Sequence, residues 1–490
     1  MVLHSAEASA DRRLWHAGLI ALAIYFGLHA AVRVGVSPSP ELDEAEQLVW
    51  TQRLAWGYGT QPPLYTWVQA VWFELVGVSV LGLTTLKNAL LWICHAATAA
   101  AVRRIAGTRA AWVATASLLW LPTLGWESQR DLTHTVLATT LAAVALWLFV
   151  RIAQDGRARD YLALGWVAGA GVLAKYNFVL FVVLAVAAAA TVPALRQRLF
   201  CRWTLWAIVI ALAVALPHLL WAIDHWHLVS DQTLDKMTRH DARALPARLG
   251  AAALTLLSFA TPWWVAFGVA LAVDRRQRRG EGASPTQGDA RNCVLRQWAL
   301  AYLGLALLML GGLVALGASD IKARWLQPWL FLLPALAVWI ARIDGHGRAW
   351  RGFLAASVLL GLTWVVLMAA RGYHQAARGT PDEWNVPIPA LAQALREAGF
   401  SRGVIVSPQA VIAGGLRLQF PDSTVVVAPH PLPDVGGQTQ VFVQTNHDGE
   451  ALAPWPVATA PRSVQLPFLY ARSDTPLFEA RFAVLPPARP

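Results

Sequence analysis

Apolar runs long enough to cross a bilayer recur along most of this chain, and they constrain its fold more than any other feature. A membrane-spanning helix needs about 20 mainly apolar residues. Eleven candidates occur, at about 15–34, 80–102, 109–126, 132–151, 160–174, 177–194, 203–222, 248–272, 297–317, 324–341 and 350–369. The stretch 160–194 reads as one long helix broken at Lys175-Tyr176-Asn177 or as two helices joined by a very short loop. At about 1.5 Å per residue it outruns a bilayer core, which favours two. Only 14% of the residues are charged, against about 25% in soluble domains, so the deficit fits a lipid solvent. The 25 tryptophans fit as well, because indole rings favour the membrane–water interface. In a soluble protein a net charge of +11 would raise nucleic acid as a partner. Here the basic residues fall between apolar runs, where they set topology, and no nucleic-acid partner is expected. The first run follows Arg12-Arg13 without a clear small-residue cleavage site, so it reads as an uncleaved first helix.

Orientation follows from arginines in short loops. With the N-terminus inside, the inner loops collect Arg103, Arg104 and Arg109, then Arg151, Arg157 and Arg159, then Arg196, Arg198 and Arg202. Arg275, Arg276, Arg278, Arg279, Arg291 and Arg296 follow, then Arg342, Arg348 and Arg351. The outer loops hold far fewer. Eleven crossings place residues 371–490 outside the cytoplasm. There the apolar runs shrink to strand length, at Gly403–Ser407, Thr424–Val427 and Gln440–Gln444, after a helical stretch at Ile388–Ala398. Pro and Gly mark the turns. The expected fold is therefore mainly α: a polytopic helical bundle over 1–370, with a small extracytoplasmic α/β domain over 371–490. That domain reads as a structural cap more readily than as a catalytic one. The three cysteines, Cys94, Cys201 and Cys293, form no CxxC or zinc pattern.

Charge is costly inside a membrane, so its placement is informative. Acidic residues gather at the outer ends of spans and in outer loops. The first outer loop, 35–79, is long and carries Asp43-Glu44, then Trp56-Gly57-Tyr58, then Gln61-Pro62-Pro63. One helix is expected to start near Asp43 and another after Pro62-Pro63, where proline suits a first turn. Asp43 and Glu44 read equally as helix-capping acids and as a catalytic pair. Asp131, in the second outer loop, either caps the following helix or supplies a second carboxylate for base catalysis and substrate positioning. Lys175, beside Tyr176, and Arg324 sit against helix ends with little loop around them, unlike the snorkelling anchors expected of Lys236 or Arg239. Together they are suited to a phosphate or pyrophosphate group of a lipid carrier. His225 and His227, with Asp224, Asp231 and His240, raise a divalent metal as one reading, although their spacing matches no strong ligand motif; no metal ligand is assigned.

The run Asp43-Glu44-Ala45-Glu46, Leu54-Ala55-Trp56-Gly57-Tyr58 and Pro62-Pro63-Leu64 resembles the first-loop signature of the family 39 glycosyltransferases. These are membrane enzymes of the C-type fold that include lipid A aminoarabinose transferase and protein O-mannosyltransferases. Gly165 and Gly169-Ala170-Gly171 through Lys175-Tyr176 are similar to the family's glycine-rich helix ending in Lys-Tyr. Arg324-Trp325-Leu326-Gln327-Pro328 is similar to its Arg-Tyr-x-x-Pro element, and the likeness covers roughly 15–370. The resemblance implies a polyprenyl-phosphate-linked sugar donor and an envelope acceptor hydroxyl, on a glycolipid, polysaccharide or protein, at the outer face of a bacterial inner membrane. It implies Asp43 as general base or acceptor-orienting carboxylate, Glu44 as support for the loop or acceptor site, and Asp131 as the second-loop acid. Lys175, with Tyr176 beside it, and Arg324 would hold the donor phosphate. Tyr58, Gln61, His225 and His227 are candidate substrate contacts. Gln61 replaces the lysine that precedes Pro-Pro in the aminoarabinose transferase, which counts against lipid A modification. A transporter or flippase is the rival reading, but it predicts midplane polar sites and internal repeats, and no convincing repeat relates the two halves.

Overall fold

The computed structural model describes residues 2–230, 244–280, 290–428, 437–446, 455–457 and 459–486. Among them, six helices are long and apolar enough to cross a membrane: Ala8–Val36, Val80–Trp120, Thr133–Asp155, Arg202–Asp224, Cys293–Ala315 and Arg348–Ala377. Two bent pairs raise the number to eight, Leu245–Ala260 with Trp263–Arg279 at 63° and Ala323–Leu330 with Leu333–Ala341 at 47°. The runs expected as separate helices at 80–102 and 109–126 lie largely in the stretch Val80–Ser117, which is kinked between them. Gly107, at φ 85°, interrupts its dihedrals where a side chain would be strained. Around Lys175 the expected break is present, with Ala158–Ala174 and Phe178–Thr191 on either side.

The chain divides into two compact units. The first comprises Met1–Phe26, Ala55–Tyr65 and Ala89–Trp364. Thr133–Asp155 is its most enclosed helix, with Val136, Ala138, Ala142 and Leu146 fully buried. Ala158–Ala174 packs closely on Arg202–Asp224, and Gly165 and Gly169 make that approach possible. A Cβ at Gly165 would stand 2.5 Å from the Ala207 carbonyl oxygen, and one at Gly169 would stand 2.7 Å from that of Ala211. Small residues four apart let membrane helices touch backbone to backbone, which accounts for the glycine-rich pattern.

The second unit comprises Gly27–Leu54, Thr66–Asn88 and Val365–Pro490. Its sheet has the order β2-β1-β3-β5-β4, where β1 is Val404–Ser407, β2 Thr424–Val427, β3 Gln440–Thr445, β4 Arg462–Leu466 and β5 Phe478–Leu485. β1 pairs parallel with β2 and β3, and β5 pairs antiparallel with β3 and β4. The first three strands and the helix Ile388–Glu397 lie where the apolar runs place them. The helix Ala410–Gln419 and strands β4 and β5 are additions that the run lengths do not mark.

The hydrophobic core of this sheet includes a residue from far upstream: Ala45 is buried together with Ile388, Leu391, Ile412, Leu416 and Phe482. Ala45 belongs to the first-loop helix Leu42–Trp50, which lies against Ala410–Gln419. The approach is so close that a Cβ at Gly414 would come within 2.7 Å of the Ala45 carbonyl oxygen. Arg417 donates to the Leu48 carbonyl and, at 2.8 Å, to Thr51 Oγ1. Gln52 completes the seam. Its side-chain amide donates to the Val425 carbonyl and accepts from the Val425 N–H, both at 2.8 Å. The glutamine thereby pairs with edge strand β2 as another strand would, and edge groups left open invite unwanted pairing. The C-terminal sheet is thus a platform on which the acidic first loop is built.

Candidate active site

In the second unit the acidic loop is organised around Glu44. The helix Leu42–Trp50 has Glu41 at its cap position and Glu44 at the third helical position. Neither Asp43 nor Glu44 is therefore the cap itself. The Glu41 N–H donates to Glu44 Oε2 at 3.1 Å, one half of a capping box. Glu44 is 1% exposed. Arg33, in the last turn of Val2–Val36, donates to the same Oε2 at 2.7 Å, and Lys87 donates to Oε1 at 3.3 Å. Burial alone would raise the Glu44 carboxyl, but Arg33, Lys87 and the Glu41 N–H hold it down at about 2. Both carboxylate oxygens are engaged, and the group is locked as an anion.

Arg33 also donates to the Ser37 and Ser39 carbonyls, each at 2.8 Å, so one guanidinium fixes the bend that leads into the helix. Its ring-facing side lies 4.7 Å from the centroid of Trp384, and Arg371 lies 4.6 Å from the same ring. Arg371 pairs with Glu41 and, at 2.6 Å, with Asp382. The hydroxyls of Ser37 and Ser39 donate to the carbonyls of Trp384 and Val386 at 2.7 and 2.6 Å. The segment 37–44 is thus fastened to 382–386 through charge, stacking and hydrogen bonds. Asp43, one residue from Glu44 and about 100° around the helix, is half-buried on a different face. Adjacent acids have separate environments.

The first unit holds the remaining candidates. Lys175 closes the helix Ala158–Ala174 in extended conformation, and its Nζ meets Thr135 Oγ1 at 2.5 Å. The Tyr176 hydroxyl lies 3.1 Å from Nε2 of His218, and the His218 Nδ1 lies 2.6 Å from the Trp56 carbonyl. A carbonyl only accepts, so Nδ1 carries the proton and the neutral ring takes the Tyr176 hydroxyl hydrogen at Nε2. His218, Trp221 and His225 repeat along one helical face, and their rings form a continuous stack with Tyr176, at centroid separations of 5.7, 5.7 and 4.5 Å. Gly57 is required beside it, because a Cβ there would lie 2.1 Å from the Trp221 ring. Tyr58 and Gln61 exchange both backbone hydrogen bonds at 3.0 Å across a tight turn with Gly59 at φ 60°. Tyr58 is buried and its hydroxyl accepts from the Ala55 N–H at 2.9 Å.

Asp131 precedes the helix Thr133–Asp155 in extended conformation, one residue before the cap position taken by Leu132. Arg324 is exposed, and its guanidinium makes no hydrogen bond or ion pair among the described residues. Its neighbour Trp325 is tied to the Lys175 turn, because Asn177 donates to the Trp325 carbonyl at 2.8 Å. Gln327 reaches Ser128 at 3.1 Å and Thr139 at 3.3 Å. Burial pushes the Glu127 carboxyl upward against the pull of Arg130 and Arg324. His225 and His227 are both exposed. Among the described residues no three His, Cys, Asp or Glu side chains converge as metal ligands. Asp231, Lys236, Arg239 and His240 lie outside the described residues.

Sequence reasoning passes over Arg33, Lys87, Trp384 and His218. Lys87 had a signal, as a lone cation inside an apolar run. His218 had one too, in its spacing of three and seven from Trp221 and His225.

Residues 60–221 match the family described as dolichyl-phosphate-mannose-protein mannosyltransferase. The chain is 34% identical over 482 residues to the lipopolysaccharide core galacturonosyltransferase RgtB of Rhizobium johnstonii, spanning 92% of this chain and 94% of that protein. It is 31% identical to the lipopolysaccharide core galacturonosyltransferase RgtA of the same organism, over 87% of this chain and 85% of that one. In fold it is similar to ArnT from Cupriavidus metallidurans, solved bound to undecaprenyl phosphate, with a TM-score of 0.62 at 14% identity over 95% and 98% of the two chains.

Proposed function

The chain belongs to the family 39 membrane glycosyltransferases of the C-type fold, and we propose that it moves a galacturonosyl group from a polyprenyl-phosphate carrier to a hydroxyl of the lipopolysaccharide core. The observation that carries this reading is near full-length similarity to two core galacturonosyltransferases. Gln61, where the aminoarabinose transferase has lysine, supports a core sugar over lipid A as acceptor. The undecaprenyl phosphate bound by the similarly folded ArnT supports a lipid-phosphate donor.

The chemistry is an inverting displacement. Asp43 accepts the proton of the acceptor hydroxyl while that oxygen bonds to the anomeric carbon. The bond from the anomeric carbon to the donor oxygen breaks, and the lipid phosphate leaves with the electron pair. Lys175, Tyr176 and Arg324 are assigned to that phosphate, where fixed cations stabilise a departing anion. The exposed guanidinium of Arg324, without a hydrogen bond or ion pair among the described residues, supports its part. Glu44 is a positioning residue: an anion with both oxygens occupied orients the helix that carries Asp43. Asp131 is assigned to acceptor positioning. Tyr58 and Gln61 shape the first-loop turn, and His225, at the end of the ring stack, is assigned with His227 to the sugar.

The topology belongs to the same reading. Six spans and two bent pairs become nine if Val80–Trp120 crosses twice about Gly107, and eleven if Ala158–Ala174 and Phe178–Thr191 also cross. With the arginine-rich loops inside, the acidic first loop and the 371–490 domain face the periplasm of an inner membrane.

The test is transfer in proteoliposomes from a labelled polyprenyl-phosphate galacturonate to lipopolysaccharide core acceptor. A general base supplies about 10²–10⁴-fold, so Asp43→Asn is expected to lose that much activity while the protein stays inserted. Transfer by Asp43→Asn near the wild-type rate removes Asp43 from the role. Label that crosses the bilayer without reaching the acceptor supports a flippase instead.

A further inference from the structure

A polar cavity lies in the first unit, and none of the residues assigned above lines it. Its volume is about 520 Å³, and its walls include Asp274, Arg278, Asp344, His346, Arg348 and Arg351. It stands at the ends of two membrane-crossing elements, the bent pair finishing at Arg279 and the helix beginning at Arg348. Helix ends of this kind lie at the level of lipid phosphates.

The charges in this cavity are divided unequally. Arg278 takes both carboxylates: its Nε donates to Asp274 at 2.9 Å, and its Nη2 donates to the two oxygens of Asp344 at 2.7 and 2.9 Å. Asp344 also accepts the His346 N–H at 2.8 Å, and the His346 ring meets Arg109 Nη1 at 2.9 Å. The acidic groups are therefore spent in holding one wall. Arg348 and Arg351, three residues apart and so on one helical face, are exposed, and their guanidiniums have no partner among the described residues. Gly347, beside Arg348 in the lining, has φ 96°, and a Cβ there would come within 3.4 Å of Asp274 Oδ1.

We propose that this cavity is an anion site in which Arg348 and Arg351 bind the phosphate of an anionic phospholipid headgroup. Arginines that only set orientation need neither a cavity nor a braced wall, and these have both. Planar guanidinium groups match phosphate oxygens in a bidentate fashion. The polar lining between the two arginines and the Arg278 wall suits the hydroxyls of a glycerol headgroup. A choline headgroup would bring its own cation against the arginines.

The experiment titrates the purified full chain in neutral detergent with short-chain phosphatidylglycerol, phosphatidylcholine and inorganic phosphate, reading binding by native mass spectrometry and by thermal shift. Wild type is expected to bind phosphatidylglycerol at least about tenfold more tightly than phosphatidylcholine. Arg348→Gln/Arg351→Gln is expected to lose that preference, since two charge-assisted contacts go with it. Arg348→Lys/Arg351→Lys keeps the charges without the bidentate fork and is expected to retain part of the preference, which separates binding from folding. Thermal stabilisation by inorganic phosphate equal to that by phosphatidylglycerol, lost in the Gln variant, supports the arginine site with a soluble phosphate as its source. Equal binding of both lipids by wild type, or unchanged phosphatidylglycerol binding by the Gln double variant, overturns the proposal.

Discussion

Replacing Glu44 by Gln removes the only anion that touches both Arg33 and Lys87 among the described residues. The size of the effect follows from two independent routes. The Glu44 carboxyl is held at about 2 against an ordinary value of 4.5. At 1.36 kcal/mol per pKa unit, that difference is about 3 kcal/mol of stability carried by the ionised form. The second route starts from the cations: breaking a buried pair by removing one partner costs about 3–5 kcal/mol, because the other charge stays buried and unpaired. The two agree on a loss of about 3–4 kcal/mol. This falls on the ordering of segment 37–54, which is what the triad holds. Since 1.36 kcal/mol is a factor of ten, the open population of that segment rises more than about 100-fold.

Amide hydrogen exchange reads this directly, with Glu41 and Ala45 as reporters because their N–H groups bond within the box and the first turn. The pH dependence gives a sharper arm. A carboxylate depressed in the folded state stabilises above its unfolded pKa and loses that contribution as pH falls. Wild-type protection, corrected for intrinsic exchange rates, is expected to fall between about pH 4.5 and pH 2, whereas Glu44→Gln is flat across that window. Lys87→Met is expected to be mild, since it leaves the shorter Arg33–Glu44 pair intact. Glu44→Gln/Lys87→Met is expected to recover part of the single-variant loss, a non-additivity that only coupled charges give. Equal protection in Glu44→Gln and wild type, or strict additivity in the double variant, refutes the reasoning.

Two further perturbations probe other joints of the fold. Gly414→Ala places a Cβ within 2.7 Å of the Ala45 carbonyl oxygen; overpacking of this kind costs about 1–3 kcal/mol, and exchange in both Leu42–Trp50 and Ala410–Gln419 is expected to quicken together. Tyr176→Phe leaves the Nε2 of fully buried His218 without its hydroxyl donor, at a cost of about 1–3 kcal/mol. Its transfer assay is expected to show a raised donor KM with a smaller change in kcat, and a lowered kcat alone counts against a donor role.

The parts of this fold that were legible in the sequence are those with a local signature. Strands β1 to β3 and the helix after Pro387 announce themselves through apolar runs of the right length. Lys175-Tyr176-Asn177 marks a break because two polar groups interrupt a run too long for one crossing. The second half of the sheet was quieter: β4 has only intermediate and exposed positions, and β5 alternates over Phe478–Phe482 but loses the period at Ala483–Leu485. The helix Ala410–Gln419 contains two glycines, which depress its propensity. It needs them only because Ala45 and Ile388 press against Gly414 and Gly415 from other parts of the chain.

The acidic pair shows where local reading stops and why. Asp43 and Glu44 are equivalent in a linear sequence, and both capping and catalysis predict two acids at the start of a helix. The distinction between them lies about 100° around the helix axis, in what each face meets. Glu44 meets Arg33, 11 residues away, and Lys87, 43 residues away, and each of those cations sits in an apolar run where orientation or anchoring is the first explanation. Both separations of sequence have to close before the charges cancel. Once they do, the two acids part: a carboxylate whose oxygens already accept three donors and which is buried between two cations is held as a structural anion. Its half-buried neighbour Asp43, carried on the helix that this anion fixes, is the acid proposed for the chemistry. The C-terminal sheet then has a mechanical reason to exist, since Gln52, Arg417 and Trp384 hold that helix and its entry bend from the other side.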